Sequence, residues 1–343
     1  MTQDQFQSIL ARFGKDIRLD VPFSELTTVG IGGPAKALIE VKAADQLMEI
    51  IKFCQDQEIP FLVMGGGSNL LVSDSGVESL VIKLVNQGIR KKENKLIVQS
   101  GTALQTLVDY TIAKGLDGFS TMNGIPGTLG GAIYGSAGAY GDNIRNFLES
   151  VLCFDGERMV TLTKAEYDTG YRDSIFKRRK DLVILEAIFE GMPPTDTKIL
   201  KQEADEVWQK RQKKYNPILK TPGSFFKNIP ESELAPKQLE IVRAKIQQFE
   251  NTPEYIERFG TSQIVRFGKI PAGTLIDMLG GKGDRIGQIR IDDFHANTFI
   301  NDGGGTAADF WRLAKKWHDR VKTEFGIELE PEVQFVNLPP LNT

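Results

Sequence analysis

The segment Ala37-Leu-Ile-Glu-Val-Lys42 alternates apolar and polar side chains with a period of two, which predicts a strand with one buried face. Over 44–57 the apolar residues Leu47, Ile50, Ile51 and Cys54 recur at helical spacing, and Phe61-Leu-Val-Met64 then reads as a buried strand. Together these segments predict a βαβ unit. Gly65-Gly-Gly-Ser-Asn69 follows the second strand directly and leads into another apolar run, Leu70-Leu-Val72. Further along, Leu104, Leu107, Val108 and Ile112 stripe one face of a helix that Gly115 ends. Residues 151–154, 159–162 and 182–189 predict strands of a second sheet. A charged helix over 196–214 stops before Asn216-Pro217, a candidate hinge into a last domain. The stretch 230–270 is charged, helix-prone over 231–250, and carries no motif. A final helix over 306–325 stacks Phe310, Leu313, Trp317 and Val321 on one face, Gly326 closes it, and a short strand over 329–336 ends the fold.

Composition narrows the class. The chain has 343 residues, 41% hydrophobic and 25% charged, which is ordinary globular usage and excludes disordered, collagen-like and coiled-coil chains. That length suggests two or three domains at roughly 150 residues each. The 42 basic and 45 acidic side chains are interspersed, so the net charge of -3 leaves no electrostatic footprint for nucleic acid. No window reaches the roughly 18 apolar residues that span a bilayer. MTQDQFQSIL lacks the basic and apolar regions of a signal peptide, so the expected location is the cytoplasm. Cys54 and Cys153 stand far apart without neighbouring histidines, which argues against a disulfide framework and against a metal site.

Glycine is the outlier, at 34 residues, and it is clustered. Seven of the eighteen residues from Gly124 to Gly141 are glycine, with little charge among them. Small residues let main chain lie against a flat ring system or a pyrophosphate, with N–H groups as the only polarity. The earlier loop at Gly65 is either an anion-binding nest at a sheet edge or a plain turn. It is not a dinucleotide fingerprint of the GxGxxG kind, because it leads into an apolar run rather than a helix. The chain has no GxxxxGK[ST], and Gly280-Gly281-Lys282 lacks the hydroxyl that would hold magnesium. Two such loops in one chain favour a large dinucleotide such as FAD over what either suggests alone.

Other candidates carry polar chemistry. Arg172, in Tyr171-Arg-Asp-Ser174, offers a planar fork suited to a carboxylate or phosphate, or it pairs with its neighbouring aspartate. Ser224, in Gly223-Ser-Phe-Phe-Lys-Asn228, is either a capped turn packing two phenylalanines or a proton donor to a strongly basic carbanion. No GxSxG elbow is present, and only His295 and His318 could serve as a base, so a hydrolase triad fits poorly. His318 reads as solvated and His295 as structural. The segment from His295 to Asn301 and the glycines of 273–287 form a third glycine-and-polar patch. Glu328, Glu330 and Glu332 occupy alternate positions of an extended segment and share a face. One of them at a cleft could act as an acid or a charge stabiliser.

Eight motifs in order carry a resemblance. They are Thr28-Val-Gly-Ile-Gly-Gly-Pro34, Gly65-Gly-Gly-Ser-Asn-Leu-Leu71, Ile125-Pro-Gly-Thr-Leu-Gly-Gly131, Ala137-Gly-Ala-Tyr-Gly141, Tyr171-Arg-Asp-Ser-Ile-Phe-Lys177, Gly223-Ser-Phe-Phe-Lys-Asn228, Pro271-Ala-Gly-Thr-Leu-Ile-Asp277 and Leu329-Glu-Pro-Glu-Val333. Over about residues 20–336 the chain resembles the UDP-N-acetylenolpyruvoylglucosamine reductase (MurB) family. The resemblance implies an α+β fold: a two-lobed FAD-binding module of the vanillyl-alcohol-oxidase (PCMH) type, then a smaller α/β substrate-binding domain. The expected boundaries are an N-terminal segment 1–20, lobe 1 over 21–86, lobe 2 over 87–215, a substrate domain over 216–328, and a C-terminal strand over 329–343.

The resemblance also implies chemistry. NADPH reduces the flavin and leaves; the flavin then gives hydride to the enolpyruvyl methylene of a UDP-sugar substrate, and a proton completes UDP-N-acetylmuramate. In that scheme Arg172 and Glu332 stabilise an aci-carboxylate and Ser224 donates the proton, so the three gather around one reacting unit. Flavin contacts fall on Gly65, Gly66, Gly67, Ser68, Asn69, Leu70, Gly101, Pro126, Gly127, Gly130, Gly131, Gly138, Ala139 and Tyr140. Substrate contacts fall on Tyr171, Arg211, Lys214, Asn228 and Arg285. The chain resembles the branch without a substrate-capping tyrosine loop, and Ser136 stands where an asparagine is common in the family. Expected partners are the UDP-sugar alone, with no nucleic acid, no membrane insertion and no obligate protein partner. Two competing readings are another flavin oxidase or dehydrogenase of the same superfamily, and a nucleotide-sugar-binding protein without flavin chemistry.

Overall fold

The computed structural model describes residues 1–167, 170–214, 219–259, 263–265 and 267–342, without the side chains of 213–214 and 258–259. The proposed hinge at Asn216-Pro217 lies outside the described residues. The chain forms two compact units: Met1–Pro22, Pro34–Ser68 and Gly76–Pro217 make the first, and Phe23–Gly33, Asn69–Ser75 and Ile218–Thr343 the second.

In the first unit a four-stranded sheet runs in the order Ile17–Pro22, Pro34–Val41, Val77–Leu84, Phe61–Met64. The expected βαβ unit is present, with Val77–Leu84 inserted parallel to both of its strands. The helix Ala44–Asp56 buries Leu47, Ile50, Ile51 and Cys54 in one cluster with Ala37, Ile39, Leu80 and Ile82. Each of the three aliphatic helix residues contributes about 1.5–3 kcal/mol by leaving water. A second, antiparallel sheet follows the order Met159–Thr163, Leu148–Phe154, Val183–Phe189, Lys95–Gln99, Ile89–Lys92. Its edge strand Ile89–Lys92 escaped the hydrophobic reading because Arg90-Lys-Lys92 is charged and exposed. The helix Leu104–Ala113 buries Leu104, Leu107 and Val108, and Gly115 after it has a φ of 62°. A side chain there would also meet the Thr195 carbonyl at 2.8 Å.

The second unit holds an antiparallel meander of Arg285–Ile286, Ile289–Ile291 and Phe299–Asn301, and a parallel pair of Leu70–Val72 with Gln334–Val336. Phe225 is the hub of its core, with ring centroids of Phe226, Phe299 and Phe310 at 4.8, 5.0 and 5.4 Å. Two expectations are corrected here, and the helix expected within 231–250 is found. Only 334–336 of the last segment form a strand, because 330–332 bond to the Ser224 segment instead. The stretch 230–270 contains two helices, Pro236–Glu250 and Pro253–Phe259, the first burying Val242 and Ile246. His318 is 3% exposed, not solvated. The last helix, Ala307–Phe325, touches Pro236–Glu250, Ala272–Met278 and the strands Arg285–Ile286 and Ile289–Ile291, and these neighbours together bury a wider arc than one apolar stripe reveals. No helix among the described residues is long and apolar enough to cross a membrane.

Candidate active site

Two glycine loops of the first unit press together at the C-terminal end of the strand Phe61–Met64. A Cβ on Gly66 would lie 2.9 Å from the Gly127 Cα, and one on Gly65 would lie 2.4 Å from Thr128 Oγ1. Ser68 Oγ donates to the Pro126 carbonyl at 3.2 Å, tying the loops across. Gly67 takes a φ of 66°, and Gly127 a φ of 107°. Among the described residues, the N–H groups of Gly65, Gly66 and Gly67 donate to nothing. Gly130 donates to the Ser100 carbonyl at 2.8 Å, and a Cβ there would press on Ser100 at 3.0–3.2 Å. Gly131 donates to Thr128 Oγ1, the N-cap of the short helix Leu129–Tyr134. Gly101 is buried against Asn86, whose Oδ1 accepts its N–H at 3.1 Å.

Beyond this cradle the chain makes a hairpin, Gly138–Ala139 against Asp142–Asn143. Its turn residues Tyr140 and Gly141 both have positive φ, 54° and 98°, as a two-residue hairpin turn of type I′ requires. The Arg211 guanidinium lies 5.4 Å from the Tyr140 ring centroid and donates to the Thr121 carbonyl at 3.5 Å. Arg172 is also left-handed, with a φ of 52°, and its Nη1 and Nη2 donate to the carbonyls of Ser136 and Gly138 at 3.0 and 2.8 Å. Its own carbonyl accepts from Lys177 Nζ at 2.6 Å, and its guanidinium lies 5.6 Å from the Tyr171 ring centroid. The salt-bridge alternative for Asp173 is met by a different residue: Arg178 Nη1 takes its carboxylate at 2.6 Å. Ser136 is buried, and its carbonyl, not its hydroxyl, is the group that Arg172 uses.

The second unit carries Ser224 and Glu332 on one backbone frame. The Glu332 N–H donates to the Phe225 carbonyl at 2.7 Å, and the Lys227 N–H to the Glu330 carbonyl at 2.9 Å, around an antiparallel pairing of Phe226 with Pro331. Ser224 and Glu332 are therefore one step out of register on adjacent chain segments. On the other side, the Phe225 N–H donates to the Asn297 carbonyl at 2.8 Å, and Ser224 pairs with Thr298. The Asn297 side chain completes the grip: Oδ1 accepts the Phe226 N–H at 2.9 Å and Nδ2 donates to the Phe226 carbonyl at 2.8 Å. An amide side chain here does the work of a strand neighbour, which explains why a polar residue is 2% exposed beside an aromatic core. The Glu332 carbonyl accepts from Asn69 Nδ2 at 3.0 Å and Gln334 Nε2 at 3.1 Å. Glu328 and Glu330 share the polar side of this segment, while Ile327 and Leu329 are buried, as alternation predicts.

Comparison with known proteins decides between the readings that this geometry leaves open. A model of the UDP-N-acetylenolpyruvoylglucosamine reductase C-terminal domain matches residues 213–336, and a model of an FAD binding domain matches 35–160. The UDP-N-acetylenolpyruvoylglucosamine reductase of Solibacter usitatus is 35% identical over 320 residues, 93% of this chain and 96% of its own. The chain belongs to the UDP-N-acetylenolpyruvoylglucosamine reductase family. The Rubrobacter xylanophilus enzyme of that name is 32% identical over 333 residues, 96% of this chain and 98% of its own. The crystal structure of the Thermus caldophilus enzyme superposes with a TM-score of 0.70 at 28% identity, covering 93% of this chain and 99% of that one. The α+β fold with its flavin module is that of the reductase family.

The cradle fits the cofactor that the family implies. A pyrophosphate needs main-chain donors that no other group uses, and the open N–H groups of the Gly65 loop are such donors. The other residues expected at a reductase site are distributed as follows. Leu70 begins the strand that pairs with Gln334–Val336, and Asn69 holds the Glu332 carbonyl. Asn228 Oδ1 accepts the Ala272 N–H at 3.3 Å, so it also closes the start of the helix Ala272–Met278. Arg285 is exposed, and its Nη2 reaches Asp302 at 2.6 Å. The Lys214 side chain lies outside the described residues. Asn297, Asn143 and Arg145 were missed as individuals. The signal available for Asn297 was an amide inside the run Ala296 to Ile300, otherwise poor in polar groups.

Proposed function

We propose that the chain reduces the enolpyruvyl ether of UDP-N-acetyl-3-O-(1-carboxyvinyl)-glucosamine to UDP-N-acetylmuramate at the expense of NADPH, a step of cytoplasmic peptidoglycan precursor synthesis. FAD, when bound, would supply hydride chemistry between NADPH and the substrate methylene. Gly65, Gly66, Gly67 and Gly127, tied together by Ser68 and Pro126, would hold that cofactor.

Adding hydride to an enol ether is electronically unfavourable, so charge must be drawn into the adjoining carboxylate. Arg172 does this with a permanent charge and a rigid fork. A fixed donor at such a position typically contributes about 2.7–4 kcal/mol to the transition state. Glu332 hydrogen-bonds the same carboxylate as it becomes an aci-carboxylate. Ser224 then protonates the neighbouring carbon; the intermediate is basic enough for a hydroxyl to serve. Arg211, Lys214 and Asn228 bind the diphosphate of the nucleotide, with Tyr171 and Arg285 as further substrate contacts.

The observation that carries the reading is the shared frame: residues as distant in sequence as Ser224 and Glu332 are both held through the backbone of Phe225 and Phe226. The test is anaerobic. NADPH should bleach the flavin band of the purified protein, and the enolpyruvyl sugar nucleotide should restore it with formation of UDP-N-acetylmuramate. Bleaching without recovery favours another flavin oxidoreductase, and a colourless protein favours a nucleotide-sugar binder.

A further inference from the structure

Arg172 is enclosed by a ring of hydrogen bonds whose other members have no assigned role. The Ser136 carbonyl accepts twice, from Arg172 Nη1 at 3.0 Å and from Asn143 Nδ2 at 3.1 Å. Asn143 Oδ1 in turn accepts from Arg145, from its Nε at 3.0 Å and its backbone N–H at 3.0 Å. Arg145 Nη1 then donates to the Gly170 carbonyl at 3.0 Å, two residues before Arg172. The circuit closes through the backbone of 170–172. Every joint lies in the first unit, and the ring crosses left-handed backbone at both Ser136 and Arg172, with φ of 48° and 52°. Non-glycine residues persist there only where the surroundings overdetermine them.

Arginine suits position 145 better than lysine. The bonds to Asn143 and Gly170 leave from Nε and Nη1, two separate edges of one rigid plane, and a lysine ammonium offers a single point. The two guanidiniums also sense one another: burial lowers the pKa of Arg145 first, Tyr167 opposes this, and the Arg172 charge lowers it further.

We propose that Arg145, acting through Asn143, is a positioning residue that fixes the Arg172 guanidinium in the orientation that receives the substrate carboxylate. This rests on the role given to Arg172 above. It predicts a defect confined to the half-reaction in which that carboxylate takes charge.

The experiment uses the full-length flavin-loaded protein and anaerobic stopped-flow on Arg145→Gln, Arg145→Lys, Arg172→Lys and the double variant Arg145→Gln/Arg172→Lys. Arg145→Gln should slow flavin reoxidation by the enolpyruvyl sugar nucleotide by about 10- to 100-fold, the scale of an ångström-sized misplacement. Flavin reduction by NADPH and flavin content should stay near those of the parent, and Arg145→Lys should not rescue. Because Arg145 acts through Arg172, adding Arg145→Gln to Arg172→Lys should cost no more than about twofold further. Independent, multiplicative losses, or equal losses in both half-reactions, overturn the proposal, since a merely structural residue would produce them. A slow Arg172→Lys beside a fast Arg145→Gln overturns this proposal alone. A fast Arg172→Lys overturns the role of Arg172, and the positioning role falls with it. If Arg145→Gln fails to fold, Asn143→Ala opens the same ring at its next joint and must show the same selective defect; a parent-like Asn143→Ala overturns the proposal.

Discussion

Replacing Asn297 by alanine removes both side-chain bonds to Phe226 while leaving the Asn297 backbone in place. The Phe226 N–H, now 2.9 Å from Oδ1, and its carbonyl, now 2.8 Å from Nδ2, would both lose their partners. Phe226 is 1% exposed, so water does not readily substitute. A buried polar group left unsatisfied costs about 1–3 kcal/mol, and two of them about 2–6 kcal/mol. Relief from burying the asparagine amide offsets part of this, leaving roughly 2–5 kcal/mol. That is a large share of the 5–15 kcal/mol typical of folded domains. With an m-value of about 3 kcal/mol/M, the urea midpoint followed by tryptophan fluorescence should fall by about 1 M. Asn297→Asp should be no better at neutral pH: its carboxylate can accept the Phe226 N–H but faces the Phe226 carbonyl with a second acceptor. Protonation restores a donor, so Asn297→Asp should recover stability as the pH falls. A midpoint for Asn297→Ala within about 0.3 M of the parent, equivalent to roughly 1 kcal/mol or less, would refute the claim that this amide holds the Ser224 segment.

Ser224→Ala should leave flavin reduction by NADPH nearly intact while slowing the substrate half-reaction by about 10²–10⁴-fold, the usual range for a lost general acid; parallel loss in both half-reactions would count against a proton-donor role. Glu332→Gln should likewise affect the second half-reaction more than the first, measured in the same stopped-flow traces. Gly66→Ala places a methyl where the Gly127 backbone already lies, at 2.9 Å, so the loops must part and the flavin absorbance per chain should drop; a fully yellow protein would show that the loops tolerate separation. Burial works to raise the pKa of Asp284, but bonds from Lys316 and Trp317 Nε1 outweigh it and hold the carboxyl below its ordinary value. Its contribution to stability is thus present above about pH 4 and lost as the pH falls through the lowered folded value. Asp284→Asn should lower the urea midpoint at neutral pH and flatten its acid dependence below about pH 4; an unchanged acid slope would reject the coupling.

Much of the local structure was legible in the chain. Periodicity found the helix Ala44–Asp56, the strand Pro34–Val41 before it and the last helix, because each buries a face that repeats within its own segment; the strand Phe61–Met64 was found from its unbroken apolar run, although only Met64 in it is fully buried. Gly326 announced the end of that helix, and it takes the left-handed conformation with a φ of 67°. Glycine clustering marked both cradle loops for the same reason: backbone that must approach something closely cannot carry a side chain. Residue type and resemblance singled out Ser224 and Glu332, yet neither foretold the frame that supports them.

What the tertiary structure decided concerns partners. Leu70–Val72 reads as a strand in any window, but only the fold pairs it with Gln334–Val336. His318 looks polar beside an apolar stripe and is buried on a helix that several elements contact. Asn297, Asn143 and Arg145 are ordinary polar residues in sequence and become structural joints only where the fold brings a backbone donor or acceptor to each. Local order follows from interactions within a few residues, which the sequence displays directly. The satisfaction of buried polar groups depends on which remote segment arrives beside them, and that is settled only when the chain has closed on itself.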